Sequence, residues 1–227
     1  MTNSRSQTIA IIGGTGALGA GLAVRWARAG HRIVIGSRDG ERANRQAVAM
    51  AERVGADIVG ADNIAAAQQG EIVVITVPYS HHRSTLESIQ PHLSRKILID
   101  VTVPLMPPKV RTVQLPAEGS VGRGTQLFLG KEVKVVSAFQ NVAATHLSDL
   151  DHVIDCDVLV CGNDKDARSR VIELAEDAGM KAWHAGRIDN SAVAEALTST
   201  LIFINGHYKI DGAGIRISGT PVVNQSE

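Results

Sequence analysis

The residues with the clearest chemical signal are glycines. Gly14, Gly16 and Gly19 stand at G-x-G-x-x-G spacing, directly after the apolar run Ile9-Ala10-Ile11-Ile12. In that spacing the first glycine makes a tight turn, the second lets backbone approach a pyrophosphate, and the third lets a helix pack close to a strand. The chemistry is anion binding, because the first N–H groups of a helix are unpaired and carry partial positive charge. Thr15, Ala17 and Leu18 fill the turn and the helix start, so Gly14 to Gly19 is predicted to hold the phosphates of a dinucleotide.

A second set lies at the end of the next apolar run, Ile33-Val34-Ile35-Gly36-Ser37-Arg38. A site for NAD places an acidic residue here to bind the ribose hydroxyls. This chain has Ser37 and Arg38, with Arg42 one helical turn on. A hydroxyl and two permanently charged, forked guanidiniums suit a 2′-phosphate, which selects NADP. Asp39 is the competing element: it caps the next helix or, displaced by a position or two, reads a ribose.

Other chemistries lack their residues. Gly13, Gly16 and Gly19 also fit the G-x-x-G-x-x-G of short-chain dehydrogenases, but Tyr79 and Tyr208 are followed four residues on by Arg83 and Gly212, so the catalytic Y-x-x-x-K is missing. His81 and His82 are adjacent, which is poor metal geometry, and there is no H-x-x-x-H or C-x-x-C, so no metal is predicted. One of the two histidines is expected to face the cleft. Cys156 and Cys161 read as two reduced core thiols, consistent with a cytoplasmic protein. No catalytic side chain is assigned.

These residues need a scaffold, and the chain supplies one. Leu18, Leu22 and Trp26 recur at i, i+4, i+8, and Gly30 stands where that helix should stop. Strands are then predicted at Arg32–Ile35, Ala56–Gly60, Glu71–Val77, Lys96–Val101, Val133–Phe139, Asp155–Cys161 and Lys181–Ala185. Between them lie helices at Glu41–Val54, Asp62–Gln69, His81–Gln90, within Leu115–Leu129, and at Asp164–Ala178. A long helix, Asp189–Gly206, follows, capped by Asp189 or Ser191. Alternating strands and helices give an α/β fold, a Rossmann-type doubly wound parallel sheet. Residues 1–140 form the dinucleotide-binding domain and 141–227 a smaller C-terminal segment. Ligands of such sheets bind beyond the carboxyl ends of the strands, which brings Thr76, Val77 and Pro78, and Ala138, Phe139, Gln140 and Asn141, to the same edge as the glycine turn.

The composition removes whole classes of partner. Lys+Arg and Asp+Glu are both 23, so no basic surface suggests nucleic acid. No apolar run approaches the ~18 residues of a membrane span, and the polar Met1–Thr8 has no signal-peptide core. Aromatic residues are only 3% against 44% apolar overall, so the core is aliphatic, as buried parallel strands are. The partners expected are small-molecule cofactors and, through the apolar helix Asp189–Gly206, a second copy in a homodimer.

With these residues in view, the chain resembles the NADPH-dependent coenzyme F420 reductases, also called F420H2:NADP oxidoreductases. The matching pieces run from Ile9 to Gly219: Gly13–Gly19, Gly36-Ser37-Arg38, Thr76-Val77-Pro78, Val135–Phe139, Cys156–Gly162 and Gly212–Ile215. The resemblance implies direct hydride transfer between NADP and a hydroxy-deazaflavin, stacked between the nucleotide-binding part and the C-terminal segment. By position it gives Thr15, Ser37, Arg38 and Arg42 to the 2′-phosphate, and Val77, Pro78, Ala138 and Phe139 to the two rings, with His81 and Asn141 nearby. Some family members carry a histidine after the segment matching Ser137-Ala138-Phe139, where this chain has Gln140-Asn141. Two rivals share the scaffold: an NADP-dependent reductase of a small imine or carbonyl compound, which needs a general acid such as His81 or His82, and a non-enzymatic NADP-sensing protein.

Overall fold

In the computed structural model, which describes residues 6–222, the predicted alternation becomes one sheet with helices on both faces. The first half runs β1 (Thr8–Ile12), α1 (Ala17–Arg28), β2 (Arg32–Ser37), α2 (Gly40–Val54), β3 (Ile58–Asp62), α3 (Asn63–Gln69), β4 (Ile72–Ile75), α4 (Tyr79–Ile89) and β5 (Ile97–Asp100). The rest runs α5 (Val121–Leu129), β6 (Lys134–Ser137), α6 (Ala144–Leu147), β7 (Val158–Gly162), α7 (Lys165–Asp177), β8 (Ala182–His184) and α8 (Ser191–Tyr208). Most of the polar stretch Met1–Thr8 and the last residues of the C-terminal segment lie outside the described residues.

The strand order is β3-β2-β1-β4-β5-β6-β7-β8. The chain therefore starts in the middle of the sheet and reverses direction between β1 and β4, the switch point at which such sheets open a crevice. The strands β1, β2, β4, β5 and β6 are almost wholly buried runs of Ile, Val, Leu and Ala. Two clusters cover the two faces. One centres on Trp26, Phe139 and Leu174 under α1 and α7, the other on Leu86, Ile89 and Leu98 under α4. Among the described residues no helix is long and apolar enough to cross a membrane.

The expectation of a parallel sheet fails at one place. β7 pairs antiparallel with β6, Val136 opposite Gly162 and Ser137 opposite Cys161, and β8 then follows β7 in parallel. A parallel return needs a crossover built on a substantial helix. The link between β6 and β7 carries only the four-residue α6, so the chain turns back instead. Arg25, on α1, fixes this link. Its buried guanidinium donates to the carbonyls of Leu147, Ala178, Asp149 and His152 at 2.6–3.1 Å.

Smaller departures have local causes. The third strand begins two residues later than predicted, because Gly55 ends α2 in a left-handed conformation and residues 56–57 complete the turn. A 3-10 turn, Ile188–Asn190, precedes α8, so neither Asp189 nor Ser191 caps it. Ser191 instead donates its hydroxyl to Ser120 at 2.7 Å, and Asp189 pairs with Arg123. Cys156 and Cys161 are free and buried, and burial pushes both thiols up, Cys161 to about 11.

Candidate functional site

A cavity of about 510 Å³ opens beyond the carboxyl ends of β1, β2, β4 and β5. Its lining includes Gly13, Thr15, Gly16, Ala17 and Leu18 from the glycine turn, Ser37, Arg38 and Arg42 after β2, and Thr76, Val77, Pro78 and His81 after β4. Three separate sequence predictions thus meet in one concavity.

The glycines divide the work differently from the expected reading. The left-handed turn is made by Gly13, at φ +79°, and a Cβ there would sit 2.7 Å from a Val77 methyl. Gly14, with negative φ, lies beneath the turn, where a Cβ would meet the Ile11 carbonyl at 2.8 Å. Gly19 lets α1 close on the sheet: a Cβ would stand 2.8 Å from both Gly14 Cα and Thr76 Oγ1. Gly16 is different. A Cβ there meets only the Gly13 carbonyl, at 3.5 Å. Gly16 is open toward the cavity, as a backbone approached by a ligand must be.

Gly16 is also the N-cap of α1. No side chain caps the helix and no acidic residue lies in its first turn. Its leading N–H groups and the positive end of its dipole are therefore available to an anion in the cavity. Across the cavity, Asp39 caps α2 by accepting from Arg42 N at 3.0 Å, and its own N–H donates to Ser37 Oγ at 3.2 Å. Capping is thus the role Asp39 takes, while Arg38 and Arg42 remain exposed on the cavity wall.

Two buried acceptors on this wall lack partners. Asn63 Oδ1 and Thr102 Oγ1 make no hydrogen bond, although both residues are at least nine-tenths buried. An unpaired buried polar atom is costly, and at a cavity wall it marks a place for a ligand group. The turn, the uncapped helix and the two guanidiniums fit a dinucleotide carrying an extra phosphate on its ribose, while the unpaired Asn63 and Thr102 oxygens suit hydroxyl or amide N–H groups of such a ligand.

The residues after β6 are placed apart from this cavity. Ala138 and Phe139 are fully buried. Phe139 takes φ 71°, unusual for a side-chain-bearing residue, and its ring meets Trp26 edge to face with centroids 5.8 Å apart. Gln140 and Asn141 line a smaller concavity of about 220 Å³ with Ala143, Thr198 and Ala213. Their Oε1 and Oδ1 atoms are buried without partners, while their amide N–H groups donate to the carbonyls of Asp100 and Asp157, both at 2.8 Å.

Of the two histidines, His81 lines the large cavity and His82 does not. His82 is buried, its Nε2 2.9 Å from Asp100 Oδ2, and it lines a second cavity of about 380 Å³ on the other side of α4. Burial disfavours charge on both groups, but each favours charge on the other. The Asp100 carboxylate raises His82, and the His82 and Thr125 donors hold Asp100 below its ordinary value. Glu195, on α8, is buried against the start of α5 and accepts from Val121 N and Gly122 N at 2.7 and 3.0 Å. Burial, opposed by those two donors and helped by nearby Asp100, pushes Glu195 up to about 7. Sequence reading placed Val101–Pro104 at the ligand edge but missed Asn63, Asp100, Thr125 and Glu195. The available signal was an acidic residue closing the apolar run Ile97-Leu98-Ile99 and another inside an apolar helix.

Comparison with known proteins agrees with this geometry. The sequence profile of the family described as NADP oxidoreductase, coenzyme F420-dependent, matches residues 8–104. The F420-dependent NADP reductase of Methanocaldococcus jannaschii is 42% identical over 94% of this chain and 99% of its own. That of Methanothermobacter thermautotrophicus is 39% identical over 94% of this chain and 95% of its own. A crystal structure from Arthrobacter sp. FB24, described as a candidate F420-dependent NADP reductase, superposes with a TM-score of 0.80 at 25% identity, over 94% of this chain and all of that one. With relatives this similar over almost their whole length, the chain belongs to the F420-dependent NADP reductase family.

Proposed function

We infer that this protein transfers hydride between NADP(H) and coenzyme F420. The observation that carries the reading is the continuity of the large cavity. One wall offers the uncapped start of α1 to a pyrophosphate, one rim offers Ser37, Arg38 and Arg42 to a 2′-phosphate, and the far end is closed by Thr76, Val77, Pro78 and His81. The full-length relatives bearing the name F420-dependent NADP reductase supply the second cofactor.

When bound, the two cofactors supply the hydride donor and acceptor, and the protein supplies binding, orientation and exclusion of water. Residues 1–140 hold the dinucleotide, and the deazaflavin ring must reach the same cavity at Thr76, Val77, Pro78 and His81 for hydride to pass between the rings. Gln140 and Asn141, in the separate concavity with Thr198 and Ala213, and the fully buried Ala138 and Phe139 lie away from that end.

Mixing F420, NADPH and enzyme in a stopped-flow instrument should bleach the deazaflavin absorbance. If no bleaching occurs in either direction across pH 5–9 while NADP still binds, the reading moves to the imine or carbonyl reductase, for which His81 is the histidine on the cavity wall. Arg38→Ala should weaken NADP by about 1–3 kcal/mol, the scale of a charge-assisted hydrogen bond, and leave NAD nearly unchanged. Calorimetric titrations showing equal losses for the two dinucleotides would remove the 2′-phosphate assignment.

We further propose a cytoplasmic homodimer, for which the two free thiols and the apolar α8 are the support. α8 presents apolar surface in more than one direction: Ala194 and Leu201 are buried, whereas Val193, Phe203 and Tyr208 are 61%, 50% and 67% exposed. A second copy covering them would bury aromatic area of the kind interfaces favour. A monomer mass by light scattering at micromolar concentration would count against this.

A further inference from the structure

Helix α4 stands as a partition between two cavities. Tyr79, His81 and Thr85 line the large one, and Tyr79, His82, Arg83 and Leu86 line the second. Besides the packing of Leu86 and Ile89, a buried carboxylate holds the partition in place. Asp100, at the end of β5 and 1% exposed, accepts from His82 Nε2 at 2.9 Å and from Thr125 Oγ1 at 2.7 Å on one oxygen. Its other oxygen accepts from Thr102 N at 3.0 Å. One side chain therefore ties α4, α5 and the turn after β5 to each other.

The tied pieces are themselves walls. The turn contributes Val101, Thr102 and Val103 to the large cavity, facing the Tyr79, His81 and Thr85 contributed by α4. Thr102 Oγ1, held in that turn, is one of the unpaired acceptors on the cavity side. We propose that Asp100 and His82 are positioning residues for hydride transfer: by pinning the start of α4 against the Val101–Val103 turn they set the width of the redox end of the dinucleotide cavity. The proposal rests on the hydride-transfer reading.

The geometry separates this role from acid catalysis. The Nε2 of His82 is committed to Asp100, and the ring lies on the face of α4 away from the dinucleotide cavity. The pair is buried beside the second cavity: Arg83 on α4 and Glu195 on α8 are the other charged groups acting on His82, and Thr125 on α5 lies against it. The adenosine end of the cavity, at Ser37, Arg38 and Arg42, belongs to β2 and α2 and is not touched by the cluster.

That separation gives the test. His82→Leu leaves Asp100 one donor short, and His82→Gln returns a neutral donor. The leucine variant should lose kcat by about tenfold to a hundredfold, the cost of a misplaced reacting group. It should also weaken binding of NADP while binding 2′,5′-ADP, the adenosine half alone, as wild type does. The glutamine variant should recover most of both. Should the leucine variant not fold, Thr125→Val removes a different donor from the same carboxylate and is read on the same assays. Wild-type kcat in the leucine or valine variant overturns the proposal. So does a glutamine variant as damaged as the leucine one, which would make the imidazole itself the working group. A parallel loss of 2′,5′-ADP affinity, the mark of general destabilisation, overturns it as well. Bleaching of F420 by the wild-type protein in the same series tests the parent reading separately, and the NADP against 2′,5′-ADP comparison needs no turnover.

Discussion

Arg25→Ala should lower the melting temperature by about 6–12 °C. The guanidinium is buried, and it is the shared donor for the carbonyls of Leu147, Asp149, His152 and Ala178. Leu147 ends α6, Asp149 and His152 lie in the link after it and Ala178 caps α7, so the side chain joins α1 to all three. Removing it strands carbonyls that cost about 1–3 kcal/mol each when buried. The site lies at an edge that water can reach, so a net loss near 3 kcal/mol is expected, and each kcal/mol moves a domain of this size by about 2–4 °C. Arg25→Lys should recover little, because a compact ammonium cannot fork to several carbonyls. Thermal melts followed by circular dichroism decide it; a fall of less than about 2 °C would show that the link holds itself.

Gly16→Val has the opposite profile. Space toward the cavity leaves room for the new side chain, whose Cβ meets only the Gly13 carbonyl at 3.5 Å, so the variant should fold and melt like the parent. The added carbons occupy the approach to the helix N-terminus that a pyrophosphate needs. NADP affinity should fall by about a hundredfold or more, roughly 2.7 kcal/mol. Gly14→Val is the contrast: its Cβ would collide with the Ile11 carbonyl at 2.8 Å, so it should lose stability together with binding. If Gly16→Val binds NADP normally in a fluorescence titration, the turn is a structural element only.

The contrast between these glycines shows what the sequence made legible. Spacing and context, an apolar strand before and a helix after, placed a glycine turn at the cavity, where we propose that a pyrophosphate binds. They could not say which glycine bends the chain. That depends on Val77 and Thr76 pressing in from β4, residues more than fifty positions away. The place of Ser37, Arg38 and Arg42 on the cavity wall was readable because it follows from the end of strand two. Asp100 and Glu195 were not. Each takes its meaning from partners on other elements, His82, Thr125 and the start of α5, and no local pattern announces such a meeting. The reversed β7 escaped for a related reason. A strand's own residues carry no direction, and direction is set by how much helix the connection contains.

That reversal bears on how the protein can be handled. Because β7 runs against β6, its beginning lies at the ligand edge of the sheet, and Asp157 there anchors the final stretch of chain. Asp157 N donates to the Ile215 carbonyl, and its carboxylate accepts from Ile217 N, both at 2.8 Å. The first strand, by contrast, enters at Thr8 from the opposite edge. A fluorescent label placed at Ile217 would therefore report from the ligand edge of the sheet, whereas one placed at Thr8 would sit on the opposite edge. For an optical readout of cofactor binding the former is the position to use.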